Sequence, residues 1–219
     1  MIAIIDYDAG NIRSVEKALH TLGEEAVVTR DRREILQADK VILPGVGAFG
    51  DAMDKIRGYK LDQVIYEVVK KKIPFLGICL GLQLLFETSE ESQGIRGLGI
   101  LPGRIVKIPS ADGLKIPHIG WNSLDFHGES ILFRGVERGA YVYFVHSYYL
   151  QAEEADIVKA TTQYGVTIHA CVEKDNVFAC QFHPEKSSDT GLHILKNFIT
   201  YSPERKDRCI RRESFHAWM

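Results

Sequence analysis

The sequence predicts an α/β fold: an open, mixed and mainly parallel sheet flanked by helices, with additional antiparallel strands in the C-terminal half. In the first half of the chain, short apolar runs of strand length alternate with amphipathic helical patterns. These runs are apolar throughout, which is typical of parallel strands buried on both faces. After Gly103, β-rich segments follow one another with turns between them, which indicates antiparallel pairing.

Three strands and two helices are predicted at the start of the chain. Ile2–Ile5 is an apolar run of strand length, and Asn11 is expected to cap the helix that follows it. Gly23 supplies the C-terminal stop of that helix. Glu25–Thr29 and Val41–Leu43 are the next two strands, with a short charged helix between them.

The glycine-rich segment Pro44–Gly50 is predicted to form a loop at the end of the third strand. Leu61–Lys72 has apolar residues at helical spacing and ends in three lysines, which suit the negative end of a helix. Pro74–Ile78 is a candidate buried strand, and a helix is expected over residues 80–88. Cys79 therefore lies at the junction of a strand and a helix.

The C-terminal half contains six predicted strands and a final helix. The strands should extend the sheet edge or form a small side sheet, and they are Gly103–Ile108, Ile131–Phe133, Tyr141–Val145, Ile157–Ala160, Val166–Val172 and Val177–Phe182. The helix runs from about Thr190 to Tyr201. We therefore expect one domain, residues 1–201, followed by a basic C-terminal extension of unknown role, residues 202–219.

Composition and charge argue against several classes of function. The net charge of −2 creates no general field for polyanions, and the short basic cluster in the tail is weak evidence for nucleic-acid binding. The longest apolar runs have only strand length, so no membrane association is expected. The N-terminus has no basic region before its apolar residues, so it is no signal peptide and we expect a cytoplasmic location.

The cysteines show no CxxC pair, so neither a disulfide framework nor a zinc site is expected. Cys180 alternates with Phe178 and Phe182 and should face the core. Cys171 lies in a strand pattern, and Cys209 lies in the tail. No metal and no cofactor are implied.

The segment Gly77–Gly81 carries the glycine–x–cysteine–x–glycine pattern of a nucleophile elbow. Its glycines remove side chains that would clash in the sharp turn, and the positive end of the following helix favours the thiolate of Cys79. A small buried cysteine at such a junction has the same local pattern. This motif alone therefore leaves both interpretations open.

A candidate base follows the last predicted strand. His183 lies at the strand's C-terminal end, the edge where open α/β sheets place their sites. Glu185 can reach back to orient the imidazole, which would complete a set of nucleophile, base and orienting group. Taken alone, an exposed loop histidine beside an unrelated carboxylate would have the same sequence.

The glycine-rich loop carries Val46 and Gly47 at the same sheet edge. Glycines let the backbone turn its amides toward a ligand, as an oxyanion hole requires. The amide of Val46, paired with that of Leu80, would form such a hole. A phosphate-binding loop is disfavoured because the lysine and serine or threonine of a P-loop are missing, and a plain turn stays open.

Together, Gly77–Gln83 and Phe182–Ser187 resemble the class I (triad) glutamine amidotransferases. Further runs are similar to one branch of that family, whose members serve a (β/α)8-barrel cyclase that makes imidazole glycerol phosphate in histidine biosynthesis. These runs are Asp6–Asn11, Pro44–Gly50, His118–Asn122 and Tyr143–Tyr148. The resemblance covers about residues 1–200.

The resemblance implies a glutaminase. The Cys79 thiolate attacks the carboxamide carbon of glutamine, and His183, held by Glu185, accepts the thiol proton and delivers a proton to the departing ammonia. Water then hydrolyses the thioester, and the N–H groups of Leu80 and of the Val46 region meet the oxyanion. The substrate glutamine would be held by Gln83, Glu91, Ser147 and Tyr148.

The resemblance also implies a heterodimer with the barrel cyclase, because free ammonia is largely protonated at neutral pH and has to pass directly to its acceptor. It places Asn11, Trp121, Tyr143 and Lys186 near the interface, although ordinary packing is the usual role of large aromatic residues. It further implies low activity until partner and ligand bind. We expect the Val46 peptide to rotate on activation, which its flanking glycines make sterically easy.

Three alternatives remain open. An amidotransferase subunit for a different cyclase-like partner, as in surface-sugar amidination, would share most of these motifs. A cysteine peptidase on a related α/β scaffold is disfavoured by Gln83 and by the order of the triad residues. A non-catalytic binding module is disfavoured because every triad position is intact.

Overall fold

Strands and helices alternate through the first part of the chain, as the sequence predicts. The computed structural model describes residues 1–203. The strands are β1 (Ile2–Ile5), β2 (Ala26–Thr29), β3 (Lys40–Leu43), β4 (Phe75–Ile78), β5 (Thr88–Ser89), β6 (Gly103–Lys107), β7 (His118–Ser123), β8 (Asp125–Phe126), β9 (Tyr141–His146), β10 (Tyr148–Ala152), β11 (Val158–Tyr164), β12 (Val166–Lys174) and β13 (Val177–Cys180). The helices are α1 (Ile12–Thr21), α2 (Arg32–Gln37), α3 (Phe49–Gly58), α4 (Leu61–Lys70), α5 (Leu80–Gln83) and α6 (Ser188–Thr200), with 3₁₀ turns at Ala155–Ile157 and Pro184–Lys186.

One mixed sheet has the strand order β2-β1-β3-β4-β13-β12-β10-β6-β5. The pairs from β2 to β13 are parallel, and those from β13 to β6 are antiparallel. β11 and β8 branch from β12, and β7 pairs with β9 in a separate antiparallel ribbon. The predicted fold class is confirmed, and the C-terminal strands both extend the sheet and form a side sheet.

Helices cover both faces of the parallel strands because those strands carry apolar side chains on both faces. In β1, Ala3 and Ile5 pack in the core formed with α2, α3 and α4, whereas Ile2 and Ile4 pack in the core formed with α1 and α6. Each fully buried isoleucine of this kind contributes about 1.5–3 kcal/mol. The carboxyl ends of β3, β4 and β13 are thereby held side by side.

The predicted helix over residues 80–88 is wrong after its first turn. α5 ends at Gln83, and the chain continues through turns into β5. All side chains from Leu80 to Phe86 are buried, so this segment has no exposed face. The carbonyl of Leu84 accepts a hydrogen bond from the N–H of Leu98 (2.8 Å), a distant segment that replaces the helical ladder.

The predicted strand Ile131–Phe133 is also wrong, because a carboxylate takes its backbone donors. Glu173 on β12 accepts hydrogen bonds from the N–H groups of Ile131 and Leu132 (3.0 Å each) and from the hydroxyl of Ser130. The segment therefore turns around this carboxylate instead of pairing with a strand.

Helix α3 and strands β5, β7, β8 and β10 are absent from the sequence-based predictions. α3 has glycine at both its second and its last position, which weakens its helical pattern. Its first N–H groups are capped from a distant segment: Phe49 N–H donates to Glu91 Oε2 (2.7 Å) and Gly50 N–H to Ser92 Oγ (2.9 Å). No local sequence signal marks such a cap.

Residues 204–219, which include most of the predicted basic extension and Cys209, lie outside the described residues. Within residues 1–203, none of the helices combines the length and apolar composition that crossing a bilayer requires.

We predict that Gly81→Ala destabilises the fold severely while Gly58→Ala does not. A Cβ at Gly81 would lie 1.9 Å from the carbonyl oxygen of Leu43, whereas a Cβ at Gly58 meets nothing within 4 Å. The expected loss for Gly81→Ala is about 2 kcal/mol or more, and Gly58→Ala in the last turn of α3 should change stability by under about 1 kcal/mol. Urea unfolding measures both, and equal midpoints for the two variants would contradict the prediction.

Candidate active site

Cys79 occupies a sharp turn between β4 and α5. Its backbone has φ +54° and ψ −106°, a conformation that costs about 1–3 kcal/mol for a residue with a side chain. The turn is held by close backbone contact: a Cβ at Gly77 would lie 2.7 Å from the carbonyl oxygen of Gly81. The N–H of Cys79 donates to the carbonyl of Cys180 (2.8 Å), so the turn is also tied to β13.

His183 and Glu185 follow β13 and form a buried pair. His183 Nδ1 lies 2.7 Å from Glu185 Oε1, and neither side chain is more than 1% exposed. Burial on its own would lower the pKa of His183, but the proximity of the Cys79 sulfur and the Glu185 carboxylate raises it to about 9. Within residues 1–203, His183 Nε2 is buried without a hydrogen-bond partner. That nitrogen is therefore the one left to exchange a proton with the sulfur.

Asn11 holds the carboxylate of this pair and does not cap α1 as predicted. It adopts a left-handed conformation (φ 70°), makes no capping bond, and donates from Nδ2 to Glu185 Oε1 (2.6 Å). An N-cap residue normally has an extended backbone, so that its side-chain oxygen can accept from the helix N–H groups, and the left-handed Asn11 makes no such bond. The β1–α1 loop thus reaches the site directly.

The sulfur of Cys79 opens into a cavity of about 280 Å³ at the carboxyl ends of β3 and β4. Its lining includes all seven residues that the sequence predicted for oxyanion and glutamine binding: Val46, Gly47, Leu80, Gln83, Glu91, Ser147 and Tyr148. A larger cleft of about 510 Å³ lies elsewhere, around Glu173. Its lining contains no cysteine or histidine, so the smaller cavity is the one with reactive groups.

The candidate oxyanion hole is occupied by the protein's own backbone. The N–H of Leu80 donates to the carbonyl of Gly45 at 3.4 Å. That carbonyl belongs to the same peptide group as the N–H of Val46. Gly45 is packed tightly, since a Cβ there would lie 2.4 Å from Tyr7 Oη, whereas Gly47 has φ +104° and open space around it.

Gln83 and Glu91 each use part of their polar group within the protein. Gln83 Nε2 donates to the carbonyl of Tyr148 (3.0 Å) and to Gln181 Oε1 (3.1 Å), so its two N–H bonds are spent. Glu91 Oε2 accepts from the N–H of Phe49. Gln83 is therefore left with an acceptor oxygen for a ligand.

A cysteine at a strained turn, a buried histidine–carboxylate pair and a small cavity beside them characterise enzymes that form a covalent intermediate. The family profile "Glutamine amidotransferase class-I" matches residues 3–201.

The chain belongs to the class I glutamine amidotransferase family.

Two relatives are identical to this chain at about half of the aligned positions. Imidazole glycerol phosphate synthase subunit HisH of Methanocaldococcus jannaschii is 48% identical over 199 residues, which cover 91% of this chain and 98% of the relative. The subunit of the same name from Bacillus thuringiensis is 53% identical over 200 residues, covering 90% and 93%.

Solved structures with lower sequence identity share the fold. A crystal structure of a glutamine amidotransferase superposes with a TM-score of 0.71 at 20% identity, covering 91% of this chain and 100% of that one. The structure of PurLQS from Thermotoga maritima gives a TM-score of 0.70 at 21% identity, covering 91% and 97%. At these identities, the likeness shows the class I amidotransferase fold alone.

The β7–β9 ribbon presents an apolar outer face beside the site. Ile119, Trp121 and Tyr141 are 59%, 51% and 60% exposed, and Trp121 makes an edge contact with the half-buried Tyr143. The N–H of His183 donates to the carbonyl of Tyr143 (2.9 Å), so this face borders the catalytic histidine candidate.

Lys186, the fourth interface candidate, is exposed in the 3₁₀ turn after His183.

Three residues of the site were not identified as candidates in the sequence: Ile119, Tyr141 and Gln181. Ile119 alternates with Trp121 along β7, and that alternation is the signal that could have found it. Gln181 carries no such signal, because its role depends on contacts across the sheet.

Within residues 1–203, no three histidine, cysteine or carboxylate side chains converge in a way that could hold a metal ion.

Two buried histidines of the ribbon, His118 on β7 and His146 on β9, are neutral. His146 Nδ1 lies 2.9 Å from the carbonyl of Tyr148, which can only accept, so this nitrogen carries the proton. His118 Nδ1 then donates to His146 Nε2 (3.1 Å), and Asn122 Nδ2 lies 3.5 Å from His118 Nε2. Burial lowers the pKa of His146 to about 3 and that of His118 to about 4.

We predict that this pair makes the fold acid-sensitive. Both histidines protonate near pH 6.5 in the unfolded chain but stay neutral in the fold. Below pH 6.5 the unfolded state binds more protons, so the free energy of unfolding falls as pH drops toward 4, by up to about 1.4 kcal/mol per pH unit for each histidine. Above pH 6.5 the contribution is complete.

His146→Gln should reduce the slope of the free energy of unfolding against pH by about the contribution of one histidine. Glutamine can donate and accept hydrogen bonds but does not titrate. Urea unfolding at several pH values between 4 and 7 measures it. His20→Gln, at an exposed position in α1, is the matched control and should keep the slope of the unmodified protein. Parallel pH profiles for His146→Gln and the unmodified protein would refute the assignment.

Proposed function

We propose that this chain is the glutaminase subunit of imidazole glycerol phosphate synthase. It hydrolyses glutamine to glutamate and ammonia for histidine biosynthesis. The observation that carries this conclusion is the strained Cys79 beside the buried His183–Glu185 pair, in a chain about half identical to subunits of that name.

In the proposed reaction, the Cys79 thiolate attacks the δ-carboxamide carbon of glutamine. His183 has taken the thiol proton and returns a proton to the departing nitrogen, which leaves as ammonia. Glu185 holds the imidazole through Nδ1, so Nε2 faces the reaction. Water, deprotonated by the same histidine, then hydrolyses the glutamyl thioester and regenerates the thiol.

The glutamine would lie in the cavity of about 280 Å³. The free Oε1 of Gln83 and the Glu91 carboxylate supply acceptors for the substrate's ammonium or amide N–H groups. Ser147 and Tyr148 also line this cavity. This assignment gives Gln83 the role of an acceptor only, because both of its N–H bonds are used within the protein.

The described conformation corresponds to a low-activity state in this proposal. The carbonyl of Gly45 takes the Leu80 N–H that an oxyanion needs. One rotation of the Gly45–Val46 peptide would release that donor and turn the Val46 N–H into the hole. Gly47, with φ +104° and free space around it, can absorb the accompanying change in backbone angles.

We place the partner, a (β/α)8-barrel cyclase in a heterodimer, on the outer face of the β7–β9 ribbon, together with Asn11 and Lys186. That face is apolar at Ile119, Trp121 and Tyr141, as expected of an interface core. It borders His183, where ammonia would form. A cytoplasmic location accords with such a biosynthetic role.

Glutamate release with and without the cyclase and its nucleotide ligand tests the function. We expect stimulation of about 10²-fold or more, the size of the effect of one oxyanion donor, and complete loss in Cys79→Ser. Activity that does not change when the cyclase is added would exclude the histidine-pathway assignment and favour another amidotransferase partner.

The same measurement, made as a titration with cyclase, tests the interface. Trp121→Ala should require more cyclase for half-maximal stimulation, whereas Tyr66→Ala, which changes an exposed aromatic on α4, should not.

Val46→Pro tests the peptide rotation, because proline has no N–H to offer the oxyanion. We expect the stimulated rate to fall by about 10²–10³-fold, with a smaller effect in Val46→Ala, which keeps the N–H. The measurement is glutaminase activity at saturating cyclase and ligand. Full activity of Val46→Pro would remove Val46 from the oxyanion hole.

A further inference from the structure

Gln181 is a fully buried amide that contacts the reactive sulfur. It lies between β13 and His183, is 0% exposed, and its backbone N–H donates to Ala170 (2.8 Å). Its Nε2 lies 3.6 Å from Cys79 Sγ, within hydrogen-bonding distance for sulfur. The mechanism above uses His183 on the sulfur and gives no role to this second contact.

The surroundings fix which end of the Gln181 amide faces the sulfur. The carbonyl of Tyr148 can only accept, so the nitrogen of Gln83 has to face it. The second N–H of Gln83 then requires an acceptor, which is Gln181 Oε1 at 3.1 Å. Gln181 Nε2 is thereby directed at Cys79. One backbone carbonyl thus determines the orientation of two side-chain amides.

The Tyr148 carbonyl is itself held in place, since it also accepts from His146 Nδ1 at 2.9 Å. The donor on Gln181 is therefore preorganised before any ligand arrives. An N–H donor bonds a thiolate more strongly than a neutral thiol, because the acceptor is charged. A buried donor of fixed orientation stabilises that charge without reorganising.

We propose that Gln181 donates a hydrogen bond to the Cys79 sulfur that favours its thiolate form, with Gln83 setting the direction of the donor. This inference rests on the proposed role of Cys79 as nucleophile. It adds a residue that contacts the reacting atom, and it gives Gln83 a second task besides contact with glutamine.

The thiolate can be measured without glutamine, through the pH dependence of alkylation of Cys79 by iodoacetamide. The adduct is located by peptide mass spectrometry, since the chain also contains Cys209. Cys171 and Cys180 are buried. The other titratable groups that act on the sulfur, namely His183, Tyr7 and Cys180, are unchanged in the variants below.

Gln181→Met removes the donor at similar volume and adds no charge. We expect the pH midpoint of Cys79 alkylation to rise by about one unit, with an alkylation rate at neutral pH about tenfold lower. Gln83→Met frees the Gln181 amide to turn and should shift the midpoint in the same direction by less. Gln163→Met, an exposed glutamine at the end of β11, is the matched control and should leave it unchanged.

An unchanged midpoint in folded Gln181→Met would overturn the inference, as would a uniform loss of reactivity at every pH, which would indicate displacement of the sulfur only. Far-ultraviolet circular dichroism establishes that each variant is folded. Should Gln181→Met not fold, Gln181→Glu, which still accepts from Gln83 but places a carboxylate at the sulfur, should raise the midpoint further. Because the assay contains no glutamine, failure here leaves the glutaminase proposal standing.

Discussion

Close contact between the backbones that follow β3 and β4 is the constraint on which the site depends. Gly81 packs against the carbonyl of Leu43, and Gly45 packs against Leu80 and the hydroxyl of Tyr7, with no room for a Cβ at either glycine. This contact brings the turn that carries Cys79 beside the glycine-rich loop. Cys79, the proposed nucleophile, and the peptide that would complete its oxyanion hole therefore belong to one packed unit.

Buried hydrogen bonds connect this unit to the rest of the site. The carbonyl of Tyr148 receives donors from both His146 and Gln83, and so links the underside of the ribbon to the cavity. On the other side, Asn11 and His183 converge on Glu185. Polar groups taken out of water are costly unless paired, so each of these bonds restricts its neighbours to one arrangement.

The sequence predicted what depends on local pattern and missed what depends on distant partners. Continuous apolar runs located the parallel strands. The motifs around Cys79 and His183 predicted that both residues lie at the same edge of the sheet. The predicted strand Ile131–Phe133 does not form, because Glu173, far along the chain, accepts hydrogen bonds from its backbone N–H groups. α3 was missed because Glu91 and Ser92 cap it from outside. Asn11 was assigned to a helix end by a local rule, but its amide nitrogen bonds Glu185, which is distant in the sequence.

Under the proposed function, the contact between the Gly45 carbonyl and the Leu80 N–H has a consequence for the cell that makes this protein. Glutamine is the common nitrogen donor of many biosynthetic routes, and a glutaminase that worked without its acceptor would release that nitrogen to no purpose. A subunit synthesised in excess of its partner would, with this bond in place, draw little from the shared glutamine pool. A single weak backbone hydrogen bond would then separate nitrogen transfer from nitrogen waste.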